Sequence, residues 1–152
     1  MPTYFLTWTT YGSWLHGDKR GSVTRQTNRV GTASDGEDAD RSDRARRVSA
    51  EDAFVMDRPM RDLVARVIRA HCEHRDWRIH ALNVRTNHVH VVVSAGVKPE
   101  TVMGQLKAWS SRRLHEHLKQ PDRRIWTRHG STRWIDTDAS FRRAIQYVMD
   151  EQ

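Results

Sequence analysis

An α+β fold built on an antiparallel sheet follows from three features of this 152-residue chain. Two β-branched stretches, Trp77 to Val84 and His88 to Ser94, flank a three-residue turn and read as a hairpin. Apolar residues recur at helical spacing in three segments: after Asp57, after Pro99 and after Thr137. With an N-terminal strand and a strand between the last two helices, the order becomes β-α-β-β-α-β-α. That is a ferredoxin-like split βαβ unit, with helices on one face and an added C-terminal helix that carries Tyr147.

Thr3 to Tyr11 is β-branched and aromatic throughout, so it forms the first strand, with Phe5 and Thr7 on one face and Leu6, Trp8 and Thr10 on the other. Gly12 ends it. Tyr11, Trp14 and His16 follow in or beside a glycine-punctuated loop, where rings either stack on unpaired bases or close a small satellite core. Residues from about 18 to 50 are polar and carry charges of both signs, and we expect a disordered insertion within one domain spanning 1–152.

The first helix starts near Asp57, with Pro59 at a helix-start position, and stops by Trp77. Met60, Leu63, Val64, Val67, Ile68 and Cys72 form its apolar stripe; His71 and His74 lie solvated at its end. In the second strand Ile79 takes one face, and His80, Leu82 and Val84 take the other. The strand after the turn alternates strictly. Val89, Val91 and Val93 make an apolar row suited to packing under helices, so His88 and His90 share the opposite face.

The second helix opens at Glu100 and Thr101, with Val102, Met103, Leu106, Trp109, Leu114 and Leu118 apolar. Its other faces carry Lys107, Ser110, Ser111, Arg112 and Arg113, which make either a phosphate track or an ordinary solvated surface. His115 and His117 diverge on the helix and suit no common ion. Ile125 to Ile135 reads as a broken strand or a short hairpin through Gly130. Thr137 to Ser140 caps a third helix whose buried stripe is Phe141, Ala144, Ile145 and Val148, with Tyr147 beside it.

Charge points to a polyanionic partner. Against 19 acidic residues stand 26 basic ones, giving a net charge of +7 and a pI near 10.3, and arginine greatly outnumbers lysine. The single cysteine, Cys72, excludes an internal disulfide and a multi-cysteine zinc module. No segment has the length and apolarity of a membrane span, and we expect a cytoplasmic protein.

Two same-face imidazoles a pleat apart can chelate one metal ion; the alternative is a buried strand whose histidines each bond a neighbour. With a tyrosine on the terminal helix and a basic surface, the constellation suggests metal-assisted phosphoryl transfer. A metal on His88 and His90 would polarise a DNA phosphate, and Tyr147 would attack it, leaving a covalent phosphotyrosine.

The stretches Thr7 to Asp18, Asn87 to Val93, Trp126 to Ser131 and Ala144 to Gln152 carry a family resemblance. In them the chain resembles the single-tyrosine transposases of the IS200-like group, especially the REP-associated tyrosine transposases, within the HUH nuclease superfamily. The resemblance implies a nuclease and strand transferase dependent on Mg²⁺ or Mn²⁺, acting on single-stranded DNA beside hairpins, as a monomer or homodimer, through a 5′-phosphotyrosine. It makes His88 and His90 metal ligands and Tyr147 the nucleophile. The family often adds a glutamine four residues after the tyrosine as a third ligand; here Glu151 has that spacing and Gln152 lies one position on, and both are candidates.

Trp8, Tyr11, Trp14, Lys107, Arg112 and Arg113 are the expected DNA contacts. A competing class is a non-catalytic ferredoxin-like domain that binds single strands through Trp8 and Tyr11, in which Tyr147 has no chemical role. A hydrolase of small phosphate esters would keep the histidines but give neither Tyr147 nor the arginines a task.

Overall fold

The structure, a computed structural model, describes residues 1–13 and 53–150; the expected insertion, Trp14, Glu151 and Gln152 lie outside the described residues. Four strands form one antiparallel sheet: β1 (Thr3–Thr10), β2 (Arg78–Val84), β3 (His88–Ser94) and β4 (Trp126–Ile135). Their spatial order is β2-β3-β1-β4, the ferredoxin-like arrangement, with β1 paired to β3 and β4. Helices α1 (Arg58–Arg75) and α2 (Pro99–Leu118) cover one face. The added helix α3 (Asp138–Asp150) packs on the other, over β2 and β3.

Local chemistry sets the helix ends. Asp57 caps α1 by accepting from the Met60 amide at 3.0 Å, and Asp76 ends it in the left-handed region at φ 62°. Lys119 closes α2 in the same way at φ 57°. Thr137 Oγ1 accepts from the Ser140 amide at 3.0 Å at the head of α3. None of the described helices is long and apolar enough to cross a membrane.

The larger core joins Tyr4, Leu6 and Trp8 of β1 and Val89, Val91 and Val93 of β3 to Leu63, Val64, Val67, Ile68 and Cys72 of α1 and to Val102, Leu106 and Leu114 of α2. Phe54 and Met56, just ahead of α1, are buried in it as well, tied by Phe54 N–H to the Tyr11 carbonyl and Met56 N–H to the Thr86 carbonyl. Burial pushes the Cys72 thiol up to about 12.

Three expectations need correction. First, β2 carries a bulge: Ile79 pairs with Val93 but Ala81 pairs with Val92, so His80 is an extra residue. The extra residue reverses the alternation, and Ile79 joins Leu82 and Val84 on the large core while His80 turns to α3. Second, Trp109 stands 43% exposed, and Ser110 takes the buried position; its hydroxyl donates to the Leu106 carbonyl at 2.6 Å, which satisfies it inside the helix. Third, β4 is one strand running through Gly130. A Cβ at that residue would meet the Thr7 carbonyl oxygen at 2.7 Å and Met103 Sδ at 2.8 Å, so only glycine lets β1, β4 and α2 approach this closely.

His80 Nε2 lies 2.8 Å from Ser94 Oγ and its ring meets Phe141 edge-on at 4.9 Å. Desolvation, and then the Arg78 charge, lower its pKa below 6.5. The unfolded chain therefore binds the proton more readily. Its contribution to docking α3 is complete above pH 6.5 and is lost as pH falls through the lowered folded value. Thermal midpoints measured from pH 7.5 to pH 5 should fall more steeply for the native chain than for His80→Gln; parallel curves would contradict this.

Candidate active site

The site lies on the sheet face turned away from α1 and α2. Because Val89, Val91 and Val93 are committed to the large core, the pleat sends His88 and His90 to the other side. Their ring centroids are 4.6 Å apart. The antiparallel register sets Thr7 opposite His90 and Thr9 opposite His88.

Each ring is oriented through Nδ1. His90, only 3% exposed, has Nδ1 at 2.9 Å from Thr7 Oγ1. His88 Nδ1 lies 2.8 Å from Asn87 Oδ1, and an amide oxygen only accepts, so this Nδ1 donates. In the neutral ring the lone pair is then on Nε2, the tautomer a metal needs, held by a neighbour of the kind that orients liganding histidines. With His90 in the same tautomer, the pair would offer two nitrogen ligands to a divalent metal. Among the described residues no third His, Cys, Asp or Glu joins the pair.

Helix α3 brings Tyr147 to this pair. Ala144 and Val148 bury against Phe5, Ala81 and Val92, while Phe141 and Ile145 pack beside them. At the end of the helix Asn83 Nδ2 donates to the Val148 carbonyl at 3.0 Å. Tyr147, one residue before Val148, projects at the margin of the buried stripe and is 49% exposed. Its ring lies 5.3 Å from that of His90 and 5.9 Å from that of Phe5.

Of the expected DNA contacts among the described residues, Trp8, Lys107, Arg112 and Arg113 lie away from the histidine face. Trp8 is fully buried in the large core, because β1 turns Leu6 and Trp8 together toward the helices; its ring has no exposed face to stack on a base. Its Nε1 has no hydrogen-bond partner among the described residues. Tyr11 follows β1 with the Arg124 guanidinium 5.2 Å over its ring. Arg112 lies 4.9 Å over the Trp109 ring, and Arg113 meets Glu116 at 3.4 Å; both project from α2, across the sheet from the histidines.

Lys107 has a structural task. Between Trp126 and Gly130 the β4 residues Thr127, Arg128 and His129 face only Thr9 of β1, so their carbonyls fall out of the ladder. Lys107 Nζ donates to those of Thr127 at 2.8 Å, Arg128 at 3.3 Å and His129 at 3.5 Å. Burial lowers its pKa. Sequence reasoning missed Thr7 and Asn87 as orienting groups. Asn87 had one available signal, adjacency to His88; Thr7 had none short of the strand register.

Residues 48–148 match the family described as "Transposase IS200 like". One similar solved structure is a REP-associated tyrosine transposase bound to a REP hairpin, at 12% identity and a TM-score of 0.52. The match covers 97% of this chain but 64% of that one, and at such identity it is a likeness of fold. Another is the crystal structure of a protein from Deinococcus radiodurans R1, provisionally assigned as a transposase, at 20% identity and a TM-score of 0.49, covering 99% of this chain and 89% of that one. No curated protein matches the chain.

Because Lys107 saturates carbonyls of the β4 bulge, Lys107→Met should lower unfolding stability by about 2 kcal/mol, the scale of a charged hydrogen-bond donor lost from a part-buried site. In a salt titration of DNA binding the same variant should keep the slope of the native protein. A reduced slope with unchanged stability would return Lys107 to the phosphate contacts.

Proposed function

Since the chain belongs to the family of IS200-like transposases, we propose that it is a single-strand DNA endonuclease and strand transferase of the HUH type, working in one domain beside DNA hairpins. The observation that carries this reading is the Tyr147 ring 5.3 Å from the ring of His90, in the same chain. Because the two rings belong to one chain, we take the monomer with its own tyrosine as the acting species, in the cytoplasm.

The reaction follows from the groups present. The Tyr147 oxygen attacks phosphorus of a phosphodiester, the bond from phosphorus to the 3′-oxygen breaks, and the 5′-phosphate remains on Tyr147. The phenol proton passes to solvent or a nearby base, and the departing 3′-oxygen takes up a proton. Attack by another 3′-hydroxyl on the phosphotyrosine reverses the sequence and joins a new strand. Nε2 of His88 and of His90 would hold Mg²⁺ or Mn²⁺, with Glu151 or Gln152 as third ligand. When bound, the ion supplies charge stabilisation at the phosphoryl oxygens. Thr7 and Asn87 keep the two imidazoles turned for that purpose.

The burial of Trp8 weighs against the non-catalytic binder, because it removes one of the two rings, Trp8 and Tyr11, on which that reading relied for stacking. To test the reading, purified protein would be incubated with a hairpin oligonucleotide bearing unpaired flanks and Mg²⁺ or Mn²⁺, and denaturing gels scored for a protein–DNA adduct. We expect the adduct in the native protein and none in Tyr147→Phe. Hairpin binding of equal strength in both, with no adduct in either, would favour the passive binder. Thr7→Val, which removes the partner of His90, should raise the metal concentration needed for half-maximal adduct by roughly 10–100-fold. An unchanged metal requirement would show that Thr7 does not orient a ligand.

A further inference from the structure

We infer that Arg133 holds the phosphate that Tyr147 attacks. This rests on the nuclease reading above and adds to it the group that receives the substrate's charge. Register places Arg133 there: β4 pairs with β1 so that Ser131 faces Thr7 and Arg133 faces Phe5, and both therefore project on the His90 side of the sheet. Phe5 is the common neighbour. Its ring centroid lies 5.8 Å from that of His90, 5.9 Å from that of Tyr147 and 5.9 Å from Arg133 Cζ. Imidazole, phenol and guanidinium thus converge on one ring from β3, α3 and β4.

Arg112 and Arg124 also rest on rings, those of Trp109 and Tyr11. Of these ring partners only that of Arg133, Phe5, is shared with His90 and Tyr147, and several other basic side chains have structural partners. Arg61 and Arg123 donate to the carbonyls of Met56 and Ala53, Arg113 meets Glu116, and Lys107 is committed to the β4 bulge. Arg133 is exposed, and among the described residues no carboxylate pairs with it. An arginine resting against an aromatic ring keeps its planar fork ordered while its N–H edge stays available to an anion. Phosphoryl transfer concentrates negative charge on the non-bridging oxygens, and a guanidinium can take two of them at once. Such a contact strengthens as charge develops, so it should favour the rate of attack as well as binding.

The test uses the full chain and a fluorescent hairpin oligonucleotide with oligo-dT flanks. Binding is measured by anisotropy between 50 and 300 mM NaCl on a Tyr147→Phe background, and adduct formation is timed with Tyr147 intact. For Arg133→Gln we expect the log–log salt slope to shrink by about 0.7, the value for one phosphate contact on a single strand. The adduct rate should fall by on the order of 10²-fold, as for loss of one charge-stabilising donor. Arg133→Lys should keep the salt slope but recover only part of the rate, because an ammonium cannot form the fork; this variant also serves if the glutamine form folds poorly.

The assignment is overturned if Arg133→Gln leaves either slope or rate at the native value, or if Arg133→Lys matches the native rate. Arg133 would then merely shield Phe5, and its substitution would show in the thermal midpoint alone. Failure of the nuclease reading looks different: the native protein itself would give no adduct.

Discussion

The whole arrangement depends on the pleat of β3 at the centre of the sheet. Three valines on one side of that strand are buried under α1 and α2, and this burial fixes which way the strand faces. A slip of one residue would turn the imidazoles into the large core and take the three valines out of it, at a cost of several apolar contacts. Hydrophobic packing on one face therefore holds the chemistry on the other. With β1 on one side and β2 on the other, β3 also has no free edge along which to slide.

Helix α3 completes the site with less buried surface. Its stripe is narrow, Ala144 and Val148 with Phe141 and Ile145 at the margins, and it is helped by Asn83 reaching the Val148 carbonyl and His80 meeting Phe141. Both helpers come from β2, the strand with the bulge. With unbroken alternation His80 would share a face with Leu82 and Val84, so the imidazole would enter the large core beside them or they would be turned to α3 with it. The bulge thus sorts polar from apolar along β2 and prepares the surface on which the tyrosine helix sits.

A second irregularity, in β4, has a different consequence. Three residues against one leave carbonyls without ladder partners, and the lysine that meets them was legible in the sequence only as one cation in a basic run. Trp8 and Trp109 exchange roles in a similar way. An alternating strand and an amphipathic helix each show two faces; where both faces carry aromatic or hydroxyl groups, the pattern does not say which one is covered. Ser110 could be buried because its hydroxyl finds the Leu106 carbonyl within its own helix.

The sequence by itself determined the order of elements, the starts of the helices, the shared face of His88 and His90, and the place of Tyr147 beside a buried stripe. These depend on the period of a strand or helix and on capping within a few residues, which are properties of short segments. Only the tertiary structure decided that Thr7 meets His90 across 83 positions of chain, that Phe5 gathers imidazole, phenol and guanidinium, and that Trp8 is interior. Those outcomes follow from strand pairing and its bulges. Pairing is settled by the summed packing of distant segments, and no local pattern records it.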